Sequence, residues 1–281
     1  MTTEIFTSRT PEAASATAPP PGPSAPRRTP RPGLFSALST VVLFVAGVAV
    51  LEIGVRAGVW SSAVLPAPST ILAALGDAVA TEQFWSDTAR TSVEVVLAIV
   101  FGSLIGLGAG VMFWKLPILG RVFEPYLVSF YAVPLVLFYP VMIVLVGINA
   151  TSVVILATIM AAIPMALNTT VGLAGMRPVY LKLARSLRVS PRQFLIYVAI
   201  PAAGPLIVAG LRLAVVYALI GSIAMEFTTA QAGLGYRIRY LYEIFANEQM
   251  FAHILAVLIF SAILTTLLTV VEKAILRGRK A

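Results

Sequence analysis

The chain contains no cysteine, a single histidine and only 12 acidic residues among 281. Without cysteine it can form no disulfide, no thiolate metal site and no thiol nucleophile. His253 stands without a second His, Cys or carboxylate at ligand spacing, so no metal site is expected and it reads as a packed or interfacial residue. No GxxxxGK(S/T) loop occurs, which leaves the chain without the usual cradle for ATP phosphates. No Ser/His/Asp set, HExxH helix or carboxylate pair sharing a site can be read from the sequence. The chain is therefore not expected to be an enzyme. Charge is scarce as well: Asp, Glu, Lys and Arg make up 11% of residues, against about 25% in soluble domains.

What is abundant is apolar sequence. Hydrophobic residues make up 59% of the chain, gathered in runs of about 20 that are each long enough to cross a bilayer. This indicates an all-α, polytopic helical membrane protein with about six transmembrane helices. A net charge of +8 raises nucleic acid as a partner. The basic residues, however, flank the apolar runs and are not interleaved with exposed aromatics. The lipid bilayer and its anionic headgroups explain the charge, and no nucleic acid is expected.

Residues 1–33 are rich in Pro, Ala, Ser and Thr and too poor in apolar surface to offset their ordering entropy, so they read as a disordered cytoplasmic tail. Residues 34–276 form the transmembrane domain, and 277–281 a basic cytoplasmic tail. The first span is expected from Leu34 to Ala57, with Glu52 and Arg56 four apart and able to pair. Leu65–Thr70 reads LPAPST, a proline-fixed turn in which Ser69 or Thr70 can cap a helix. Residues 71–90 then read as an external segment. The second span, Ser92–Trp114, carries Gly102, Gly106 and Gly110, a ridge that admits a neighbouring helix either within one subunit or across a dimer seam. Lys115 and Arg121 mark a short turn.

A third span, Glu124–Val146, is expected to be kinked or broken by Pro134 and Pro140. The fourth, Thr151–Leu173, holds Pro164 and ends in Asn168, Thr169 and Thr170. The fifth, Ala203–Phe227, contains Arg212, expected to snorkel toward the cytoplasmic face, and is closed by Glu226. The sixth runs from Phe251 to Val271. Fifteen of the 20 Lys and Arg fall in segments that this arrangement places on one side. That side is then cytoplasmic, with both termini on it.

Between the fourth and fifth spans lie Arg177, Lys182, Arg185, Arg188 and Arg192. A Lys or Arg at the bilayer centre costs about 2.5–3.5 kcal/mol on insertion scales, so this stretch must be a loop. Leu183 and Leu187 share one helical face while Lys182, Arg185 and Arg188 face elsewhere. Ser190-Pro191 reads as an N-cap followed by proline at the first helical position. Two short helices broken near Arg188–Ser190 are expected, a shaped surface on which another protein can dock.

Lys182–Pro201 resembles the EAA loop of bacterial ABC importer permeases of the binding-protein-dependent type I fold. Ala184 matches the second Ala of that motif, Arg188 stands at its Gly, and Val198-Ala199-Ile200-Pro201 matches its ending. Lys182 replaces the Glu and Leu183 the first Ala. LPAPST resembles a segment of the nitrate/sulfonate/taurine branch, and Pro134, Pro140, Gly147, Asn168, Thr169, Gly210, Arg212, Glu226 and Ala232–Tyr236 fit the same branch. The resemblance implies ATPase coupling through Lys182, Leu183, Ala184, Leu187, Arg188, Pro191 and Pro201, within a loop of about 177–201. Non-Gly Arg188 must bear the strain of a glycine turn or turn differently, for instance through Ser190-Pro191.

The resemblance further implies a homodimer in a bacterial inner membrane, two copies of an ABC ATPase subunit that bind ATP and Mg, and an extracytoplasmic substrate-binding protein. This chain itself would bind no cofactor. The substrate implied is a small anion such as a sulfonate, taurine or nitrate, with a pyrimidine-type vitamin precursor or an aromatic acid as alternatives. Candidate path residues are Tyr131, Tyr139, Asn168 and Thr169. An ion-gradient-driven secondary transporter would instead favour inverted repeats and a midplane ion site. A membrane interaction protein that uses the loop only as a dock is the third reading.

Overall fold

The computed structural model describes residues 34–277, with the side chains of 34–37, 131–132, 271 and 274–277 outside that description. The tails expected at 1–33 and 278–281 lie outside the described residues. The chain divides into two units, residues 1–47 and 48–281. In the first, the structure describes the beginning of α1 (Leu34–Arg56), a single apolar run.

The second unit carries the remainder of α1 and ten further helices. They are α2 (Pro68–Val79), α3 (Glu82–Lys115), α4 (Pro117–Ala132), α5 (Tyr139–Val146), α6 (Ala150–Ala174), α7 (Pro178–Ser186), α8 (Pro191–Phe194), α9 (Ile200–Thr229), α10 (Leu234–Glu243) and α11 (Asn247–Arg277). A 3-10 turn, Leu135–Phe138, precedes α5, and a π turn, Leu195–Ala199, joins α8 to α9. Among the described residues no strand occurs. Among the described residues, five helices are long and apolar enough to cross a membrane, or six if the bent pair Pro117–Phe130 and Leu135–Val146 is one span.

The core is built from small side chains. α6 packs against both α3 and α9, where Ala98, Ala157, Ala161, Met165, Ala214 and Ala218 are buried together. Small residues let helix backbones approach closely, which is what holds helices together in lipid. The glycine ridge of α3 belongs to this seam. A Cβ on Gly102 would lie 2.6 Å from the Ala161 Cβ, one on Gly106 2.5 Å from the Ala162 carbonyl oxygen, and one on Gly110 2.5 Å from the Thr169 Cβ. The ridge therefore packs within the subunit.

Several boundaries differ from expectation, each for a local reason. α3 begins at Glu82 and not near Ser92, because Thr81 caps it by accepting from the Phe84 N–H. The turn placed at Lys115 and Arg121 shrinks to Leu116, and Arg121 lies inside α4. Neither Ser69 nor Thr70 is a cap: α2 starts at Pro68 in the N1/N2 position behind an extended Ala67. Ser69 turns instead to Glu52, donating through Oγ at 2.7 Å, while Glu52 also receives Arg56 Nε at 2.6 Å. Of Pro134 and Pro140, the first makes the break, since a residue before proline is pushed out of the helical region and Val133 is extended. Pro140 sits harmlessly in the first turn of α5. Arg212 pairs with Glu272 of α11, an interhelical ion pair that the snorkelling expectation did not include.

Candidate functional site

Two clusters of polar groups among the described residues stand out as candidate sites. The first is the loop of α7 and α8. Pro178 starts α7 in its N1/N2 position. The helix ends in a turn in which the Arg188 N–H donates to the Arg185 carbonyl and the Val189 N–H to the Ala184 carbonyl, both at 3.1 Å. This bond pattern requires a left-handed residue, normally glycine. Here it is Arg188, at φ 51°. The chain accepts the strained conformation in place of the glycine, and the turn keeps its shape. Ser190 then caps α8 reciprocally: its Oγ accepts from the Gln193 N–H at 3.3 Å and its N–H donates to Gln193 Oε1 at 3.1 Å. The two-helix loop with a break at Arg188–Ser190 is the geometry the sequence predicts.

Lys182, Leu183, Leu187, Arg188 and Pro191 are all exposed on this loop, and Ala184 is half-buried. Pro201 is separate from them, in the first turn of α9. Pro191–Thr229 runs as one apolar span of 39 residues, a contour of about 60 Å at 1.5 Å per residue. The loop thus leads, through α8, into one continuous helical run, and Glu226 lies near the other end of it.

The second place is around Glu226. α10 opens with Gly233, Leu234 and Gly235, whose N–H groups have no partner within their own helix. Side chains from two other helices supply one for each. Asp87 Oδ1 accepts from the Gly233 N–H at 3.0 Å, Thr91 Oγ1 from the Leu234 N–H at 2.9 Å, and Glu226 Oε2 from the Gly235 N–H at 2.8 Å. Thr91 in turn donates its hydroxyl to the Glu226 carboxylate, with oxygens at 2.7 and 2.9 Å. Arg237 Nε closes the ring on Asp87 Oδ2 at 2.9 Å. Asp87, Thr91 and Glu226 are 1%, 0% and 0% exposed, so no solvent replaces a lost partner.

Carboxylates at a helix N-terminus also meet the positive end of its dipole. The glycines are what permit this approach. Gly233 has φ 106°, and a Cβ there would sit on the Glu226 carboxylate, while one on Gly235 would lie 2.4 Å from the Ile223 carbonyl oxygen. Arg239 reaches back to the Thr228 and Ala230 carbonyls at 2.8 and 3.1 Å and fastens the end of α9. The sequence points to Glu226 and the glycines but not to Asp87 and Thr91, and the expectation that no two carboxylates share a site fails here, where Asp87 and Glu226 cap the same helix. The i, i+4 spacing of Asp87 and Thr91 on one face of α3 is the signal that could have found them.

The three candidate path residues whose side chains are described, Tyr139, Asn168 and Thr169, have different surroundings. Thr169 is fully buried against Gly110 of α3. Asn168 bonds the Pro164 carbonyl at 2.8 Å and faces Gly210 of α9. Tyr139 packs on Val153, Leu156, Met225 and Ala230. The Tyr131 side chain lies outside the described residues. His253 is buried beside Phe84 with Nδ1 2.8 Å from the Gln249 carbonyl oxygen. Among the described residues no group of three or more His, Cys, Asp or Glu could hold a metal.

Comparison with known proteins adds independent findings. The family described as "Binding-protein-dependent transport system inner membrane component" matches residues 98–279. A probable ABC transporter permease protein of Haemophilus influenzae is 30% identical over 169 residues, covering 60% of this chain and 67% of that protein. The taurine transport system permease protein TauC of Escherichia coli is 26% identical over 205 residues, 71% of this chain and 74% of that one. A chain of the MetNI methionine ABC transporter, in an inward-facing crystal structure, superposes with a TM-score of 0.59 at 22% identity, covering 70% of this chain and 98% of that chain. That last likeness speaks for the fold alone.

Proposed function

Because this chain belongs to the family of binding-protein-dependent transport system inner membrane components, we propose that it is the permease subunit of an ATP-driven importer. In this reading two copies form the path across the inner membrane, two ATPase subunits bind ATP and Mg beneath them, and a binding protein delivers substrate from outside. The α7–α8 loop faces the cytoplasm with both termini. The exposed two-helix loop at the start of the Pro191–Thr229 run is the observation that carries the proposal. A motor gripping α7 and α8 moves α9, and at the far end the Glu226 junction makes α10 follow. Transport is then a population shift between two packings, driven by ATP binding on the partner.

Lys182, Leu183, Ala184, Leu187, Arg188 and Pro191 form the coupling element, with Pro201 passing its motion to α9. Tyr139 and Asn168, both partly exposed, are the described residues best placed to face a path in the dimer. The substrate we propose is a small anion of the sulfonate, taurine or nitrate kind, a choice supported by the relative named for taurine. The test is reconstitution of the chain with its co-purified ATPase and the binding protein in vesicles. Uptake of the anion should require ATP and all three proteins. Flux by this chain alone under a proton or sodium gradient would contradict the proposal.

A further inference from the structure

The five cations of the α7–α8 loop are all exposed, and none of them meets a carboxylate among the described residues. Arg56, Arg90, Arg212, Arg237 and Arg239 each do. The difference is written in the sequence: between Glu124 and Glu226 there is no Asp or Glu at all. The charge of the loop therefore cannot be balanced from its own stretch of chain.

The loop also presents apolar surface. Val179, Leu183 and Leu187, spaced i, i+4, i+8, are 53%, 55% and 67% exposed and form a stripe along one side of α7 with Lys182 beside it. On the other side, Leu181, Ala184, Arg185 and Arg188 line a notch of about 260 Å³ toward α8. This notch is large enough for one apolar side chain and is rimmed by two guanidinium groups. Its shape is held by the left-handed Arg188 and the Ser190 capping box. A fluid headgroup layer would reward the charge but not a strained, preformed turn. A protein groove rewards both.

Resting on the permease reading, we propose that the groove of the partner ATPase has an apolar floor and a rim of carboxylates, and that this charge pattern selects the partner. Val179, Leu183 and Leu187 would meet the floor, Lys182 beside them the rim, and Arg185, on the notch side of α7, a carboxylate on the part of the groove that reaches around the helix. Lys182 stands where the resembling loops carry Glu, so the contact has the opposite sign there. An ATPase with a basic groove would be rejected by like-charge repulsion.

The experiment uses the full chain in nanodiscs of uncharged phosphatidylcholine and the ATPase that co-purifies with it. Affinity is measured from about 50 mM to about 500 mM KCl, a range over which exposed charge pairs become screened. Wild type should weaken at least about tenfold across that range, as rim electrostatics predict. The double variant Lys182→Glu/Arg185→Glu should bind at least about tenfold more weakly at low salt, with most of the salt dependence gone. Lys182→Gln/Arg185→Gln should fall between, and Leu183→Ala should weaken binding equally at both salts. All these sites are exposed, so unchanged thermal unfolding of each variant serves as the folding check.

A salt-independent wild-type affinity with undiminished binding of the Lys182→Glu/Arg185→Glu variant would overturn the proposal and leave the permease reading intact. Loop protection from proteolysis that needs phosphatidylglycerol nanodiscs, with no effect of the charge reversal on ATPase binding, would assign the cations to lipid and overturn it too. No ATPase binding by wild type at any salt would overturn the permease reading itself.

Discussion

Replacing Thr91 by Val tests the buried junction most sharply. The change keeps the shape of the side chain and removes its hydroxyl. In the structure that hydroxyl donates to the Glu226 carboxylate at 2.7 Å and accepts the Leu234 N–H at 2.9 Å. Thr91 and Glu226 are both 0% exposed, so water cannot step in. A hydrogen bond of this kind is worth about 0.5–1.5 kcal/mol and an orphaned buried N–H costs about 1–3 kcal/mol, so the loss should be about 2–4 kcal/mol. Thr91→Ser keeps both bonds and gives up one buried methyl, about 1 kcal/mol. The assay is thermal unfolding in nanodiscs, with proteolysis of the α9–α10 connection as a local readout. The expected order is wild type, then Thr91→Ser slightly below, then Thr91→Val far below with α10 opened to protease. Equal stability of the Val and Ser variants would refute the reasoning that the hydroxyl holds α10 in place.

Asp87→Ala should cost about 3–5 kcal/mol in the same unfolding assay, because it strands the mostly buried Arg237 and the Gly233 N–H together; Asp87→Asn should cost less. Gly106→Ala should destabilise by about 1–3 kcal/mol through overpacking against Ala162 and Met165, whereas Gly108→Ala, with open space around its Cβ, should be neutral or stabilise by up to about 1 kcal/mol. Arg188→Gly should relieve about 1 kcal/mol of left-handed strain, seen as slower hydrogen exchange of the Val189 amide. Ser190→Ala should cost about 1 kcal/mol of helix capping and speed exchange of the Gln193 amide.

How much of this was legible in the sequence depends on the range of the interaction. Ser190-Pro191 and Pro134 were readable because capping and proline geometry involve neighbours only. The ridge of Gly102, Gly106 and Gly110 was readable as a ridge, but the pattern is silent on which helix fills it; the packing on α6 supplied that. Ser69 was misread as a cap because Glu52, 17 residues earlier, competes for its hydroxyl. The start of α3 was misread for a related reason. Its first turns look polar enough for a loop, yet Asp87 and Thr91 are buried by partners that lie 135 to 150 residues further on. Helix periodicity reports that a face exists, and only the assembled fold reports what covers it.

The proposed transport cycle requires the α7–α8 loop to be the cytoplasmic seat of a separate ATPase. Since the chain has no cysteine, Ser186→Cys gives a single thiol on the exposed end of α7. The decisive measurement is its labelling by a membrane-impermeant maleimide in intact cells and in inverted vesicles. A cytoplasmic loop should show no labelling in cells, labelling in inverted vesicles, and protection there when the ATPase is added. Labelling of intact cells would place the loop outside and contradict the proposed cycle.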